Sequence, residues 1–354
     1  MTKPLIVDAH EDLAYNAVFL GLDPSLSAQD KRLAEAPGAP LSRSGIPMVG
    51  LPNLLEGNVR VVFATLYANP ATNLHAPPGH TYSTPQEAEA QGRQQLAYYT
   101  NLAKTDARVV IIHNQQDLER VLAAEQPTVG FVVLMEGADP IVKPEDAAQW
   151  VAEGVRIVGT SWGATRYAGG TGAPGPLTPL GRALMPELAR AGLILDVSHM
   201  AERSFYDALE LFPGTVIASH SNARALVPTD RQLSDAMIKV LVARDGVIGT
   251  VLYNRFLQTG WAEAGARKAA VPLSVAVAHI RHICDLAGDA RHVGIGSDFD
   301  GGFGSESAPS EIDTVDELYR VGEALSAAGF SDAEVTQVLS GNWLRLLRRG
   351  LPSG

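Results

Sequence analysis

Apolar, β-branched runs recur along the chain, with room for a helix between most neighbours. They are Leu5–Ala9, Val59–Tyr67, Thr128–Met135, Val155–Ser161, Leu193–Val197, Thr215–Ser219, Gly246–Leu252 and Val293–Ser297. Such near-continuous runs predict parallel strands, because those are covered on both faces. Helix-like segments lie between them, among them Pro144–Glu153, Thr178–Ala191, Glu202–Leu211, Asp235–Arg244, Val271–Ala287 and Thr314–Ala328. Ser234-Asp235 marks one helix start, and Gly154, Gly192, Gly246 and Gly329 follow helix ends. Strand then helix, repeated, predicts an α/β fold of the closed (β/α)8 TIM barrel type. Val109–Ile112 is a ninth apolar run, assigned to a short excursion before the third barrel strand. Two Gly/Pro-rich stretches, Asn69–Pro85 and Ala168–Pro179, are too punctuated for regular structure and predict loops over the barrel mouth. Residues 1–354 therefore read as one barrel domain with loop insertions at about 69–85 and 165–180.

Composition narrows the partners. A hydrophobic content of 46% supplies a large core, and a formal charge of -11 lacks the basic patch that a phosphate backbone requires, so no nucleic-acid partner is expected. Cys284 is the single cysteine, which rules out an internal disulfide and suits a reducing compartment. No apolar run approaches the roughly 18 residues of a membrane span, and Met1-Thr2-Lys3-Pro4 leads straight into a strand. A cytoplasmic protein with no membrane partner is the expectation.

The active site of such a barrel lies at the C-terminal ends of its strands, so the residues closing each apolar run carry the information. Strand one ends with His10 and Asp12, strand three with Glu136, strand five with His199, strand six with His220 and strand eight with Asp298. Any one of these has a structural explanation as a satisfied polar residue or a helix cap. Together they would concentrate unpaired charge at one mouth unless a cation joins them. The mix of imidazole and carboxylate suits zinc, and iron or manganese fit the same donors.

Glu136 arrives between a His/Asp pair and a His/His pair, and is expected to bridge two cations. His10, Asp12 and Glu136 would hold one; Glu136, His199 and His220 the other. None of Lys3, Lys31, Lys104, Lys143, Lys239 and Lys268 closes a strand, so a modified lysine is not the bridge. A water between two such cations becomes a nucleophile near neutral pH, and the metals polarise a carbonyl. Asp298 is then the candidate to carry a proton to a leaving amine. Glu136 and Asp298 are the expected catalytic carboxylates of an amide hydrolase.

In their order and spacing these residues resemble the membrane dipeptidase (renal dipeptidase) family of amidohydrolase-like barrels. The resemblance runs through Asp8-x-His10-x-Asp12, Glu136-Gly137, Gly154-Val155-Arg156, Leu177-Thr178-Pro179-Leu180-Gly181-Arg182 and Asp196-Val197-Ser198-His199. It continues through Ser219-His220-Ser221-Asn222-Ala223-Arg224-Ala225-Leu226, Gly296-Ser297-Asp298-Phe299-Asp300-Gly301 and Gly341-Asn342-Trp343-Leu344-Arg345. It implies a homodimeric metallopeptidase with two zinc ions that cleaves dipeptides by a metal-bridging hydroxide and tolerates a C-terminal D-residue. It also implies His10, Asp12, Glu136, His199 and His220 as ligands, Asp298 as acid/base and Arg231 as the substrate-binding arginine. Without it, Arg231 reads as a surface ion pair with Asp230 or Asp235.

Tyr253, just beyond the seventh strand, is a candidate pocket residue. Trp162 stands where the family usually carries a histidine that stabilises the tetrahedral intermediate, and an indole can donate but cannot take a proton. The segment Val227-Pro228-Thr229-Asp230-Arg231-Gln232 also lacks the usual His-Pro-Arg-Asn. Two alternatives stay open: a hydrolase of related small amides or N-acyl amino acids, and a catalytically silent metal-binding scaffold. His113, His279, His282 and His292 read as structural, while His75 and His80 lie in a loop that could reach substrate.

Overall fold

A computed structural model describes residues 3–34, 45–73, 76 and 79–354. Its strands are β1 (Ile6–Glu11), β2 (Val59–Tyr67), β3 (Val109–Ile111), β4 (Val129–Glu136), β5 (Val155–Gly159), β6 (Ala168–Gly170), β7 (Ala173–Leu177), β8 (Ile194–Asp196), β9 (Val216–Ile217), β10 (Ile248–Thr250) and β11 (Val293–Ile295). Eight of them form a parallel sheet in the order β10-β11-β1-β2-β4-β5-β8-β9. Its outer strands approach each other through a bridge between Ala218 and Ile248, supported by the Ala218 amide on Val247 O at 3.0 Å. The result is the expected nearly closed (β/α)8 barrel, and each of the eight expected runs supplies one strand.

Alternation along the strands sorts the apolar side chains into two clusters. Val7, Ala9, Val61, Phe63, Val132, Leu134, Ile157, Ile194 and Ile217 pack together with Trp343, Leu346 and Leu347 of the C-terminal helix Asn342–Gly350. Their neighbours Ile6, Val62, Ala64, Phe131, Val133, Leu195 and Val216 belong to a second cluster with residues of the surrounding helices. The Trp343 ring meets Phe63 edge-on at 5.1 Å, and its Nε1 donates to Ile295 O. That donation satisfies the one polar atom of a fully buried indole.

The ninth apolar run forms β3, which pairs with β4 over Val109–Ile111, below the stretch where β4 pairs with β5. It is the excursion the sequence suggested. Expected helices appear as Pro179–Arg190, Glu202–Leu211, Asp235–Ala243, Leu273–Ala287 and Tyr319–Ala327. Ser234 accepts the Met237 amide and Thr178 the Gly181 amide, each satisfying an otherwise orphaned donor of the first turn. Pro144–Glu153 and Thr314–Ala328 each begin as a single 3-10 turn.

One expectation fails. Ala168–Pro179, expected as a loop, contains the antiparallel hairpin of β6 and β7, with Ala168 opposite Leu177 and Gly170 opposite Ala173. The two backbones approach so closely that a Cβ on Gly169 would lie 2.5 Å from Gly175 N. The glycines that suggested a loop are what lets the hairpin form.

Candidate metal centre

The C-terminal ends of β1, β4, β8, β9 and β11 converge. β1 delivers His10, and its register with β2 shifts between Asp8 and Glu11, a local irregularity of the kind that re-aims side chains. Asp12 follows at the head of helix Leu13–Leu20 but makes no side-chain cap bond, so its carboxylate is not committed to that helix. His199 and Asp298 stand just past their strands with φ of 64° and 63°. Non-glycine residues held in the left-handed region cost roughly 1–3 kcal/mol each and concentrate at functional sites.

Glu136 sits at the centre and splits its two oxygens. Oε1 lies 3.2 Å from His199 Nε2 and 3.3 Å from His220 Nε2, while Oε2 lies 3.7 Å from His10 Nε2. His199 and His220 bring their Nε2 atoms within 3.0 Å of each other. His10 Nε2 is 3.8 Å from both Asp12 Oδ2 and Asp298 Oδ1. Three groups of donor atoms close enough to share an ion result: His10/Asp12/Glu136, Glu136/His199/His220 and His10/His220/Asp298. Asp298, expected outside the ligand set, stands as near to His10 as Asp12 does.

These residues fit a cation. Ligands bonded at roughly 2.0–2.1 Å in a tetrahedron stand about 3.3 Å apart, close to the spacings among Glu136 Oε1, His199 and His220. Both ring nitrogens of His10 and Oδ1 of Asp12 are buried without a hydrogen-bond partner among the described residues, a costly state that a cation would relieve at Nε2 and the carboxylate. Burial depresses all three imidazoles, His10 to about 3 and His199 and His220 well below their usual range, with Arg231 adding to each. They are neutral at physiological pH, the form that binds metal. Burial pushes Glu136 and Asp298 well above the carboxylate range, Asp12 adding to both, and lifts Asp12 to about 7. Arg231 opposes the rise at Glu136 and Asp298 without cancelling it, and crowded buried carboxyls hold protons that a cation would displace.

A cavity of about 400 Å³ opens over the cluster; Asp12, Glu136, His199 and Asp298 reach its wall together with Arg231, Trp162 and Tyr253. All three expected substrate contacts are therefore at the site. Arg231 is not a surface ion pair: it is 4% exposed, donates Nη2 to His220 O at 2.6 Å and Nη1 to Ser221 Oγ at 3.2 Å, and lies over the Phe256 ring. Trp162 stands between Tyr67 and His199, with ring centroids at 5.5 and 6.1 Å. Tyr253 stacks on Phe303 at 4.3 Å, so it is both packed and pocket-lining.

The structure adds residues that sequence reasoning passed over. Tyr15, Tyr67 and Asn69 form one side of the cavity, Asn69 Nδ2 donating to Tyr15 Oη at 2.9 Å. Asp300 also lines it, but its carboxylate accepts the Met48 and Val49 amides and so anchors the chain leading into helix Leu51–Glu56. His80 packs on Phe19 and is not part of the cavity wall. His75 lies outside the described residues. His113, His279, His282 and His292 are absent from the cavity wall as well.

The membrane dipeptidase family (peptidase family M19) matches residues 1–350. The chain belongs to this family. It is a metal-dependent hydrolase of dipeptides on an α/β barrel. Among its relatives, a Klebsiella pneumoniae protein described as an uncharacterized protein in the pqqA 5' region is 33% identical over 266 residues, 72% of this chain and 94% of that one. The dipeptidase aclJ of Aspergillus oryzae is 31% identical over 173 residues, 49% of this chain and 39% of that one. The barrel is similar to a Rhodobacter sphaeroides metallo peptidase solved with a phosphinate mimic of the dipeptide L-Ala-D-Ala. That likeness has a TM-score of 0.81 at 23% identity, over 99% of this chain and 100% of that one. No helix among the described residues is long and apolar enough to cross a membrane.

Proposed function

We propose that the centre holds two divalent cations, zinc by donor type, bridged by Glu136, and that it cleaves dipeptides, including those with a C-terminal D-residue. The observation that carries this reading is the division of Glu136, with Oε1 toward His199 and His220 and Oε2 toward His10. His10, Asp12 and Glu136 would hold one cation, and Glu136, His199 and His220 the other. Bound there, the cations would supply Lewis acidity for an amide carbonyl and lower the pKa of water.

The remaining steps belong to the chain. Asp298 reaches the cavity wall beside His10, within the region a scissile amide would occupy. Burial raises its proton affinity and the Arg231 charge pulls it back, so it can take a proton and return it to the leaving amine. Arg231 presents a fixed charge whose Nε has no hydrogen-bond partner among the described residues, suited to the carboxylate of a dipeptide. Trp162 and Tyr253 wall the space for substrate side chains and keep water out. Trp162 cannot transfer a proton, so the indole takes no part in acid/base work, which this reading assigns to Asp298.

We read residues 1–354 as one domain, supported by the two apolar clusters, each drawing on strands from β1 through β9. A homodimer and a cytoplasmic location belong to the same reading, resting on the family resemblance and, for location, on the lone Cys284. A panel of L,L and L,D dipeptides, their C-terminal amides and N-acyl amino acids tests the substrate class. Turnover of free dipeptides above the other classes supports the reading; preference for N-acyl amino acids contradicts it.

A further inference from the structure

Behind His220 lies a chain of hydrogen bonds that neither the cavity nor the metal groups include. Asp196 closes β8 and Ser219 stands just beyond β9, both buried. The Ser219 hydroxyl is 2.5 Å from Asp196 Oδ2 and 2.7 Å from His220 Nδ1. Asp196 Oδ1 accepts two backbone amides, from Ser198 at 3.0 Å and Ser219 at 2.9 Å. The His220 amide in turn donates to Ser198 Oγ at 3.1 Å.

A hydroxyl has one proton to give, and an ionised carboxylate can only accept. The Ser219 proton therefore points to Asp196, and the Ser219 oxygen receives a proton from His220. That places the ring hydrogen on Nδ1 and leaves the lone pair on Nε2, the atom facing Glu136 Oε1. We propose that Asp196 and Ser219 are positioning residues, a carboxylate–hydroxyl–imidazole relay that fixes His220 in the tautomer able to bind a cation through Nε2.

The other two imidazoles lack this arrangement. His199 Nδ1 meets the neutral hydroxyl of Thr171, the His199 ring also interacts with the Trp162 backbone, and His10 Nδ1 has no hydrogen-bond partner among the described residues. His220 alone has its tautomer set by a charge. The relay rests on the reading of His220 as a ligand, and the test separates the two.

Asp196→Asn supplies that test because it keeps the shape and reverses the relay. The carboxamide introduced by this substitution must keep its oxygen where Oδ1 accepts two amides, so its NH2 replaces Oδ2 and donates to Ser219. Ser219 then donates to its nearer acceptor, His220 Nδ1 at 2.7 Å rather than Ser198 Oγ at 3.3 Å, moving the ring hydrogen to Nε2. Side-chain ¹⁵N shifts of the full chain with labelled histidine, stripped of metal, read the tautomer directly; a His220→Gln variant assigns the signal. The expected result is Nδ1–H in the wild type and Nε2–H in Asp196→Asn. Zinc affinity should fall about 10–100-fold in Asp196→Asn and in Ser219→Ala, with unchanged circular dichroism. A wild-type ring already in the Nε2–H form, or wild-type zinc affinity in Asp196→Asn, overturns the relay. If added zinc leaves the wild-type His220 ring shifts unmoved, the ligand reading fails and takes the relay's purpose with it.

Discussion

Thr171 Oγ1 lies 3.0 Å from Nδ1 of His199. Thr171 occupies the turn between β6 and β7; its amide donates to Trp162 O at 3.0 Å, and the next amide, of Gly172, donates to Asp230 Oδ2 at 2.8 Å. One tight turn thus links a proposed metal-binding imidazole, the aromatic wall and the segment carrying Arg231. Thr171→Val keeps the shape of the side chain and removes the hydroxyl. Metal affinity, measured by competition with a chromogenic chelator, should fall about 10–100-fold while the far-UV spectrum stays unchanged. Undiminished affinity would show that the hydroxyl does not orient His199.

Arg231 is buried, and two of its nitrogens are held by His220 O and Ser221 Oγ. If it binds the substrate carboxylate, Arg231→Ala should lower kcat/KM for free dipeptides by about 10²-fold or more, because the lost hydrogen bond is charge-assisted and buried. C-terminal amides of the same dipeptides should lose much less. Equal losses for acid and amide would assign Arg231 to the reacting carbonyl instead.

Trp162 carries no proton-transfer chemistry where the family resemblance expects a histidine. Trp162→His should raise kcat for small dipeptides more than it changes KM, since losing one such stabilising donor commonly costs about 10²–10³ in rate. Steady-state kinetics on both forms decides this. A pure KM effect would mean that Trp162 acts only as a wall.

Away from the site, His279 accepts the Ala223 amide at Nδ1 and faces Leu257 O with Nε2, each at 3.1 Å, so the buried ring fits only when neutral. Burial lowers its pKa from 6.5 to about 4. Between those values the unfolded chain binds the extra proton. Its contribution is therefore complete above pH 6.5 and is lost as pH falls toward 4, about 3 kcal/mol in all. Metal-free wild type and His279→Gln, unfolded in urea at pH 7.5 and pH 4.5, should show a steeper acid loss in the wild type. Parallel losses would remove His279 as a source of acid sensitivity.

The barrel was legible because its strands are buried on both faces, which makes runs such as Val59–Tyr67 and Val129–Glu136 almost wholly apolar. The site was legible for the same reason: a His or carboxylate ending such a run stands out. What stayed hidden depends on pairing between distant segments. Asp196 and Ser219 sit beside recognised histidines, yet their contact needs β8 and β9 in register, with Asp196 opposite Ile217. The β6–β7 hairpin was masked by Gly169, Gly170, Gly172 and Gly175, which signal a loop in sequence; in space Gly169 and Gly170 permit close backbone approach and Gly172 takes the left-handed conformation of the turn. Thr171 could not be assigned a role without that hairpin.

Glu136 is proposed to bridge two cations needed for dipeptide hydrolysis. This bridging is tested most directly by stripping the protein with a chelator, returning zinc in steps, and recording bound metal and dipeptide turnover in parallel. No turnover is expected without metal, and full turnover at two equivalents per chain. Full activity at one equivalent, or two bound equivalents with no turnover of any dipeptide, would contradict it.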